Sequence, residues 1–259
     1  MKIGLLCNFY GFPEYTHQVL GPWLNRDDII IAASSFKYPE LWDKNDTETA
    51  KQLLDIPVNF LAYGDKANDS FSRNAPLRYL KEQEVDVIWL LDQDEFYSEK
   101  EINNTIRCVN NSKDNIIFRI EFKNCVGDKN NYIEGFNPPR IFRTKPSERY
   151  FIHEFYYEND INYVDLARKE LITYKSFSEK SISKDICNPI HYSWCGTEEY
   201  LKAKIEYQKN RYGGICSYKW EDDKLQFNES YYEMINQNPP KLLQIKKSEV
   251  IFPAYEQTR

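Results

Sequence analysis

The sequence predicts an α/β protein in which a mostly parallel sheet is flanked by helices. Over residues 1–112, short apolar segments alternate with helix-like segments. This alternation is typical of βαβ units, whose helices cover both faces of a parallel sheet. After residue 112 the pattern changes to several strands with few helices between them, and helical patterns return near the C-terminus. We therefore expect mixed strands and helices in the second half.

Local patterns predict the individual elements of the first half. Short runs that are almost wholly apolar predict buried strands at 2–7, 29–33, 58–62 and 85–91. Segments with candidate caps or a bounding proline predict helices at 15–25, 38–55, 70–83 and 98–110.

The second half predicts three strands and two helices. The strands are expected at 116–122, 140–143 and 150–157, and the helices at 197–212 and 229–236. Because no linker-like stretch separates the halves, the chain is expected to form one domain over residues 1–259.

Composition excludes some classes of function. A formal charge of −6 argues against a nucleic-acid binder, which would normally show a basic face. Six cysteines without a C-x-x-C pair, and only three histidines, argue against a zinc site and favour reduced cysteines. We see neither a signal sequence nor an apolar run of about 20 residues that could span a membrane. The sequence thus predicts a cytoplasmic protein, and it leaves peripheral membrane contact open.

The most informative stretch runs from Asp86 to Phe96, where an apolar strand leads to Asp92 and Asp94. Strand residues two apart face the same side of a sheet, and open α/β sheets bind ligands at the carboxyl ends of their strands. Carboxylates suit Mg²⁺ or Mn²⁺, which can hold the phosphates of a nucleotide. The alternative is a pair that only caps the next helix. Glu95 adds a carboxylate, expected in the first turn of that helix.

Three further segments could serve the same site. Arg73 lies in a predicted helix, where its guanidinium could bind a carboxylate or phosphate, or simply face solvent. Glu154 follows His153 in a predicted strand and could act as a general base, or lie at the surface. His191 precedes the helix predicted at 197–212, and it could bind a metal ion or be a buried structural histidine.

The order of these segments resembles that of GT-A-fold glycosyltransferases, in particular the family 2-like group of bacteria and phages. The resemblance covers roughly residues 1–210 and rests on Ser72-Arg73-Asn74, Trp89 to Phe96, Pro139 to Arg143, Ile152 to Glu154, and His191-Tyr192. It implies a GT-A-type, Rossmann-like sheet. Residues 1–112 would form the nucleotide-sugar-binding half, and residues 113–259 the acceptor-binding half with the C-terminal helices.

The resemblance also implies roles for the donor site. Asp92 and Asp94, with Gln93 between them, match the family's D-x-D, which binds Mn²⁺ or Mg²⁺ and through it the diphosphate of a UDP- or GDP-linked sugar. Arg73 would lie beside this donor. His191 would complete the binding of metal or diphosphate.

Two further roles concern the acceptor and the nucleotide base. Glu154 would deprotonate the acceptor hydroxyl, on a saccharide or on another hydroxyl-bearing molecule. Relatives hold the base with an acidic residue of the first loop, for which Asn8, Glu14 and Asp65 are the nearby options here. The Q-x-x-R-W pattern of processive synthases is absent from the sequence, which favours transfer of a single sugar.

These observations predict a metal-dependent glycosyltransferase that inverts the configuration of the transferred sugar. A role in surface glycan synthesis would be consistent with this activity. One alternative is a Mg²⁺-dependent nucleotidyltransferase. It would normally carry a glycine-rich, basic loop after the first strand, whereas residues 7–13 contain no basic residue. The other alternative is a non-catalytic relative that binds glycans through its 20 tyrosines and other aromatic residues.

Overall fold

A computed structural model describes residues 1–9, 13–36, 47–64, 69–115, 117–128, 130–144, 154–158, 161–165, 178–211 and 214–245. The predicted fold class is confirmed there: helices flank a seven-stranded, mostly parallel sheet, and the second half mixes strands with helices.

Sixteen strands and six α-helices make up the described part of the chain. The strands are β1 (Ile3–Phe9), β2 (Ile29–Phe36), β3 (Phe60–Gly64), β4 (Val87–Asp92), β5 (Glu95–Phe96), β6 (Ile117–Ile120), β7 (Phe122–Gly127), β8 (Asn131–Phe136), β9 (Pro139–Arg143), β10 (Glu154–Glu158), β11 (Ile161–Asp165), β12 (Glu179–Ile182), β13 (Ile190–Cys195), β14 (Tyr218–Glu221), β15 (Lys224–Phe227) and β16 (Leu243–Gln244). The helices are α1 (Pro13–Leu20), α2 (Thr47–Leu54), α3 (Asp69–Glu82), α4 (Glu99–Asn111), α5 (Glu198–Arg211) and α6 (Glu229–Met234).

The main sheet has the strand order β12-β6-β9-β4-β1-β2-β3. β1 pairs in parallel with both β2 and β4, whereas β9 runs antiparallel between β4 and β6. Because the central strands are parallel, their carboxyl ends meet at one edge. Asn8 of β1 therefore lies beside Ser34 of β2 and Asp92 of β4.

Helices cover both faces of this sheet, and alternate residues of β1 supply the two cores. Leu5 packs into the larger core, which also contains residues of α1, α2 and α4. Leu6 packs on the other face with Leu77 and Leu80 of α3. Gly4 lets α3 approach closely, because a Cβ there would lie 3.0 Å from Leu80 Cδ2.

A second sheet, with the order β16-β8-β7-β13-β5, begins where β4 ends. Its strand β5 pairs antiparallel with β13, which in turn pairs in parallel with β7. The chain leaving Asp92 therefore passes directly into the second sheet. This passage places β13 beside the carboxyl edge of β4.

Some sequence-based bounds were wrong. The first helix ends at Leu20, because Gly21 and Pro22 form a 3₁₀ turn instead of continuing it. Glu95 lies in β5 and not in a helix, since α4 begins only after its cap Ser98. The strand expected at 116–122 is divided into β6 and β7.

Other elements were not predicted or fall outside the description. Residues 38–46 of the second predicted helix and residues 150–153 of a predicted strand lie outside the described residues. The sequence did not predict several short strands, namely β8 and all strands from β11 to β16. Short strands of mixed polarity carry a weak periodic signal, which explains these omissions.

Two findings bear on the predictions about cysteines and membranes. The described part of the chain holds no helix that is long and apolar enough to cross a membrane. The six cysteines, all of them among the described residues, form no disulfide with one another, and burial raises the pKa of the Cys7 thiol well above its ordinary value. Cys7 is therefore a packed side chain and not a reactive thiolate.

Candidate functional site

Four of the residues predicted for the donor site lie at the carboxyl edge of the central strands. Asn8 is the second-last residue of β1 and is buried, and Asp92 ends the neighbouring strand β4. Gln93 and Asp94 form the turn into β5. The side chains of Asp92 and Asp94 are 24% and 19% exposed, so both carboxylates reach the surface from a largely buried setting.

Two arginines hold the Asp92 carboxylate. Arg73 of α3 donates from Nη2 to Oδ1 at 2.6 Å, and Arg140 of β9 donates from Nη2 to Oδ2 at 3.1 Å. Both arginine side chains are almost buried. Each oxygen of Asp92 therefore accepts a charge-assisted hydrogen bond, which is stronger than one between neutral groups.

Arg140 also joins Asp92 to Glu95. Its Nε donates to Glu95 Oε1 at 2.8 Å, and its Nη2 contacts the same oxygen. The other oxygen of Glu95 accepts from the Asp92 backbone N–H at 3.4 Å. Because the Glu95 side chain is fully buried, this carboxylate fixes Arg140 from below the surface and does not face a ligand.

Burial and charge shift the pKa values of the two carboxylates in opposite directions. Burial alone would raise the pKa of Asp92, but the guanidinium groups of Arg73 and Arg140 outweigh it and lower this pKa. For Glu95, burial raises the pKa to about 7 even though Arg140 opposes the shift. Asp92 is thus ionised at neutral pH, whereas Glu95 titrates near it.

Asp94 pairs with His191 on the other side of the turn. Asp94 Oδ1 lies 3.3 Å from His191 Nε2, and the Asp94 carbonyl accepts from the Tyr192 N–H at 2.9 Å. The Phe136 ring stacks on the imidazole, with centroids 5.1 Å apart. Burial would raise the pKa of Asp94, but the charges of His191 and Lys204 lower it below its ordinary value.

The geometry of this pair fits two ligands of one divalent ion. For bonds of about 2.1 Å, adjacent ligands of an octahedral ion lie about 3.0 Å apart. The observed separation of Asp94 Oδ1 and His191 Nε2 is 3.3 Å. A metal-bound histidine usually donates from its second ring nitrogen to a carboxylate, carbonyl or water, and the described residues provide no such acceptor for His191 Nδ1, which is buried.

The protein's own contribution to such an ion would be small. The described ranges contain no group of three or more His, Cys, Asp or Glu side chains placed to hold a metal. Two protein ligands completed by phosphates and water are common for Mg²⁺. Both oxygens of Asp92 already accept hydrogen bonds from arginine. The role of Asp92 as a further metal ligand stays a prediction.

Three predicted residues cannot be placed in the site by their side chains. Asp65 lies outside the described residues, and so do the side chains of Glu14 and Glu154. The backbone of Glu154 begins β10, pairs with Asp165 of β11, and belongs to a strand that contacts α3. Because α3 carries Arg73, β10 contacts a helix of the donor site, and the role of Glu154 as base stays a prediction.

Sequence reasoning missed two site residues, Arg140 and Lys204. Arg140 belongs to the segment Pro139 to Arg143, which contributes to the resemblance, but the spacing of this segment in the sequence does not indicate which carboxylate Arg140 binds. Lys204 of α5 donates to Ser193 Oγ at 3.1 Å and to Tyr200 Oη at 3.2 Å. Helical spacing could have found it, because the buried neighbour Tyr200 stands four positions earlier on the same face.

A cavity of about 390 Å³ lies elsewhere, at the start of α4. Lys100, Lys123 and Lys184 are among its lining residues, and none of the predicted site residues lines it. The site at the sheet edge is therefore separate from this cavity.

Comparisons with known proteins give only distant similarities. No protein-family model and no curated protein matches the chain. Among solved structures, a fragment of S. aureus TarS (residues 1–349) matches with 14% identity and a TM-score of 0.45, over 80% of this chain and 64% of that one. The same fragment in complex with UDP-GlcNAc matches with 12% identity and a TM-score of 0.48, over 80% and 65%.

A third similar structure is that of a protein other than TarS. It is the 4-diphosphocytidyl-2C-methyl-D-erythritol synthase of Anaerococcus prevotii, with 13% identity and a TM-score of 0.44 over 80% of this chain and 96% of that one. The chain spans less than two thirds of the TarS fragments it matches. At these identities and TM-scores, the similarities carry no argument about function, which must come from the site.

Proposed function

We propose that this chain is a glycosyltransferase that moves one sugar from a nucleotide-sugar to a hydroxyl acceptor, with Mn²⁺ or Mg²⁺ bound by Asp94 and His191. The observation that supports it most is the Asp94–His191 pair, 3.3 Å between Oδ1 and Nε2, next to the arginine-held Asp92. This arrangement lies at the carboxyl edge of parallel strands, where α/β proteins bind ligands.

The charges of the site suit a diphosphate only when a cation is present. Asp92, Asp94 and Glu95 bring three carboxylates to a small region, and the arginines that face them are already engaged by Asp92 and Glu95. A bound divalent ion would supply the missing positive charge and act as a Lewis acid toward the leaving diphosphate.

The residues around this pair would orient the donor. Arg73 holds Asp92 from α3, so its charge lies in place before a ligand arrives, and pre-set charges need no rearrangement during reaction. We assign Gln93 to the diphosphate side. Asn8, buried against Ser34, and Asp65 are the candidates for the nucleoside.

We further propose that Glu154 is the base that deprotonates the acceptor hydroxyl. In an inverting transfer the base acts on the face of the sugar opposite the diphosphate, and the proposal is supported by the contact of β10 with α3, the helix that carries Arg73. Glu154→Gln should lower kcat about 10²- to 10⁴-fold while leaving donor affinity within about twofold. A product whose anomeric NMR signals indicate retention would remove this role.

The test of the proposed function is a ligand screen by thermal unfolding. UDP- and GDP-sugars and nucleoside triphosphates are each added with Mn²⁺ and with EDTA. A ligand at 100 times its Kd should stabilise the fold by about 2.7 kcal/mol. We expect nucleotide-sugars to do so only with Mn²⁺. A response to triphosphates alone would instead indicate nucleotidyl transfer, and a response to glycans alone a non-catalytic binder.

A further inference from the structure

Strand β13 departs from regular pairing next to the site. Its register with β7 shifts between His191 and Trp194, so the ladder is interrupted at Tyr192 and Ser193. Irregularities of this kind bend a strand and re-aim its side chains, and they are frequent beside active sites. The interruption therefore needs other contacts to fix where His191 points.

Two other contacts hold the strand at this interruption. The Tyr192 N–H donates to the Asp94 carbonyl at 2.9 Å, which ties β13 to the turn of the site. The Ser193 carbonyl accepts from Lys204 Nζ, which ties β13 to α5. Ser193 is half-buried and has no partner in the ladder with β7, so Lys204 supplies its carbonyl with a hydrogen bond that this ladder does not.

The Lys204 ammonium is itself held from several directions. It donates to Ser193 Oγ at 3.1 Å and Tyr200 Oη at 3.2 Å, in addition to the Ser193 carbonyl. Three acceptors match the three N–H donors of an ammonium group. The group also lies 5.0 Å from the centre of the Trp194 ring, within the range of a cation–π contact.

We propose that Lys204 is a positioning residue that fixes the irregular segment of β13 and thereby keeps His191 and Asp94 in the arrangement that binds the metal. The metal part rests on the proposed function, whereas the effect on His191 does not. Lys204 touches neither the ion nor the donor in this proposal. Its effect reaches the site through Ser193 and Tyr192, which lie inside the register shift between His191 and Trp194.

The experiment compares two lysines of the same helix. Lys204→Met removes the three hydrogen bonds and keeps an apolar side chain of similar length. The control is Lys202→Met, because the contacts of Lys202 with the described residues are a half-exposed ion pair with Glu198 at 2.6 Å and a ring contact with Trp220. Both variants lose one charge from α5, so the change in the net charge of the protein is the same in each.

The first reading is the NMR spectrum of the histidine rings, recorded without metal. The chain has only three histidines, and His191→Gln identifies the signal of His191. We expect Lys204→Met to shift or broaden this signal by more than a linewidth and Lys202→Met to leave it in place. An unchanged His191 signal in Lys204→Met overturns the proposal. If Lys204→Met does not fold, Lys204→Gln is measured against the same criterion.

The second reading is Mn²⁺ affinity, measured from the EPR signal of free Mn²⁺. Loss of a residue that orients a metal ligand typically weakens binding 10- to 100-fold. We expect at least about a tenfold loss in Lys204→Met and less than about a twofold change in Lys202→Met. If the wild type binds Mn²⁺ but no nucleotide-sugar, the proposed function fails. The histidine spectrum and the Mn²⁺ affinity still test the positioning role of Lys204. If it binds no Mn²⁺, the metal part fails and the histidine spectrum decides.

Discussion

Asp92 ends β4 and Asp94 lies two positions later in the turn that follows, yet the surroundings of the two carboxylates differ. On the arginine side, Asp92 accepts hydrogen bonds from Arg73 and Arg140 with both of its oxygens. On the histidine side, Asp94 faces His191 at 3.3 Å. The first carboxylate is fixed by permanent cations, whereas the second faces a side chain that can itself bind a metal.

This difference indicates which of the two carboxylates, Asp92 or Asp94, can bind a metal ion. A guanidinium has donors only and no lone pair for a metal, so an ion that displaced it would break a charge-assisted bond. An imidazole and a carboxylate are both metal ligands, and an ion between His191 and Asp94 would replace one contact with two. We therefore expect Asp92 to act mainly on stability and Asp94 mainly on ligand binding.

The largest expected effect is the loss of stability in Asp92→Ala. This change leaves Arg73 and Arg140 without a shared acceptor, and breaking a buried ion pair on one side typically costs about 3–5 kcal/mol. Urea unfolding measures the cost. The control is Asp86→Ala, just before the same strand, where the exposed carboxylate accepts one bond from the Lys2 N–H and about 1 kcal/mol is expected. Equal losses of stability in Asp92→Ala and Asp86→Ala would mean that the two arginines do not make Asp92 important for stability.

Next in size is the loss of metal-dependent donor binding in Asp94→Ala. The wild type should gain about 2.7 kcal/mol from a nucleotide-sugar at 100 times its Kd with Mn²⁺, and the variant almost nothing. Its stability without ligand should fall less than that of Asp92→Ala, since no guanidinium loses an acceptor. Thermal unfolding with and without Mn²⁺ measures both quantities. Full donor stabilisation in the variant would mean that Asp94 is not the metal ligand.

A pH dependence from Glu95 should be smaller. Its pKa is about 7 in the fold and ordinarily 4.5, so between these values the folded state keeps a proton that the unfolded chain has released. The free energy of unfolding should therefore fall as pH rises from about 5 to about 7.5, by on the order of 1–3 kcal/mol. Asp92 and Asp94, whose pKa values are lowered, affect stability only at more acidic pH.

Glu95→Gln tests this source of the pH dependence. The variant cannot ionise, so its stability should be nearly flat over the same pH range when followed by urea unfolding. A slope equal to that of the wild type would assign the effect to another group.

The smallest effect concerns the helix that follows the site. Ser98 accepts from the Glu101 N–H at 3.2 Å and donates to its carboxylate at 2.7 Å, which caps α4. Ser98→Ala should cost about 1 kcal/mol of stability, a typical value for a lost cap. Mn²⁺ and donor affinities should not change, as urea unfolding and calorimetry can verify. A loss of metal affinity here would show that general destabilisation, and not the histidine side, controls binding.

The sequence was most informative where a single strand carried both fold and chemistry. The apolar run that ends at Asp92 predicts β4, and parallel pairing then brings Asn8 beside it. Arg73 was correctly placed on a helix, in α3. These inferences succeed because they depend on local periodicity and on the rule that ligands meet the carboxyl ends of strands.

Local sequence signals do not predict the contacts that Arg140 and His191 make with the carboxylates, because both residues come from distant strands. Arg140 reaches Asp92 and Glu95 only because β9 inserts antiparallel beside β4. His191 reaches Asp94 through the pairing of β13 with a two-residue strand that carries Glu95, a segment too short to show a periodic pattern. Register across two sheets decides these contacts, and no local sequence signal encodes it.

The most direct test measures Mn²⁺ binding to Asp92→Asn and Asp94→Asn side by side, from the EPR signal of free Mn²⁺. Both changes remove one charge and keep the shape of the side chain. We expect Asp94→Asn to bind Mn²⁺ at least about tenfold more weakly than the wild type, and Asp92→Asn to stay within about threefold. An equal loss in both variants would make Asp92 a metal ligand as well. Unchanged binding in Asp94→Asn would contradict the proposed metal site.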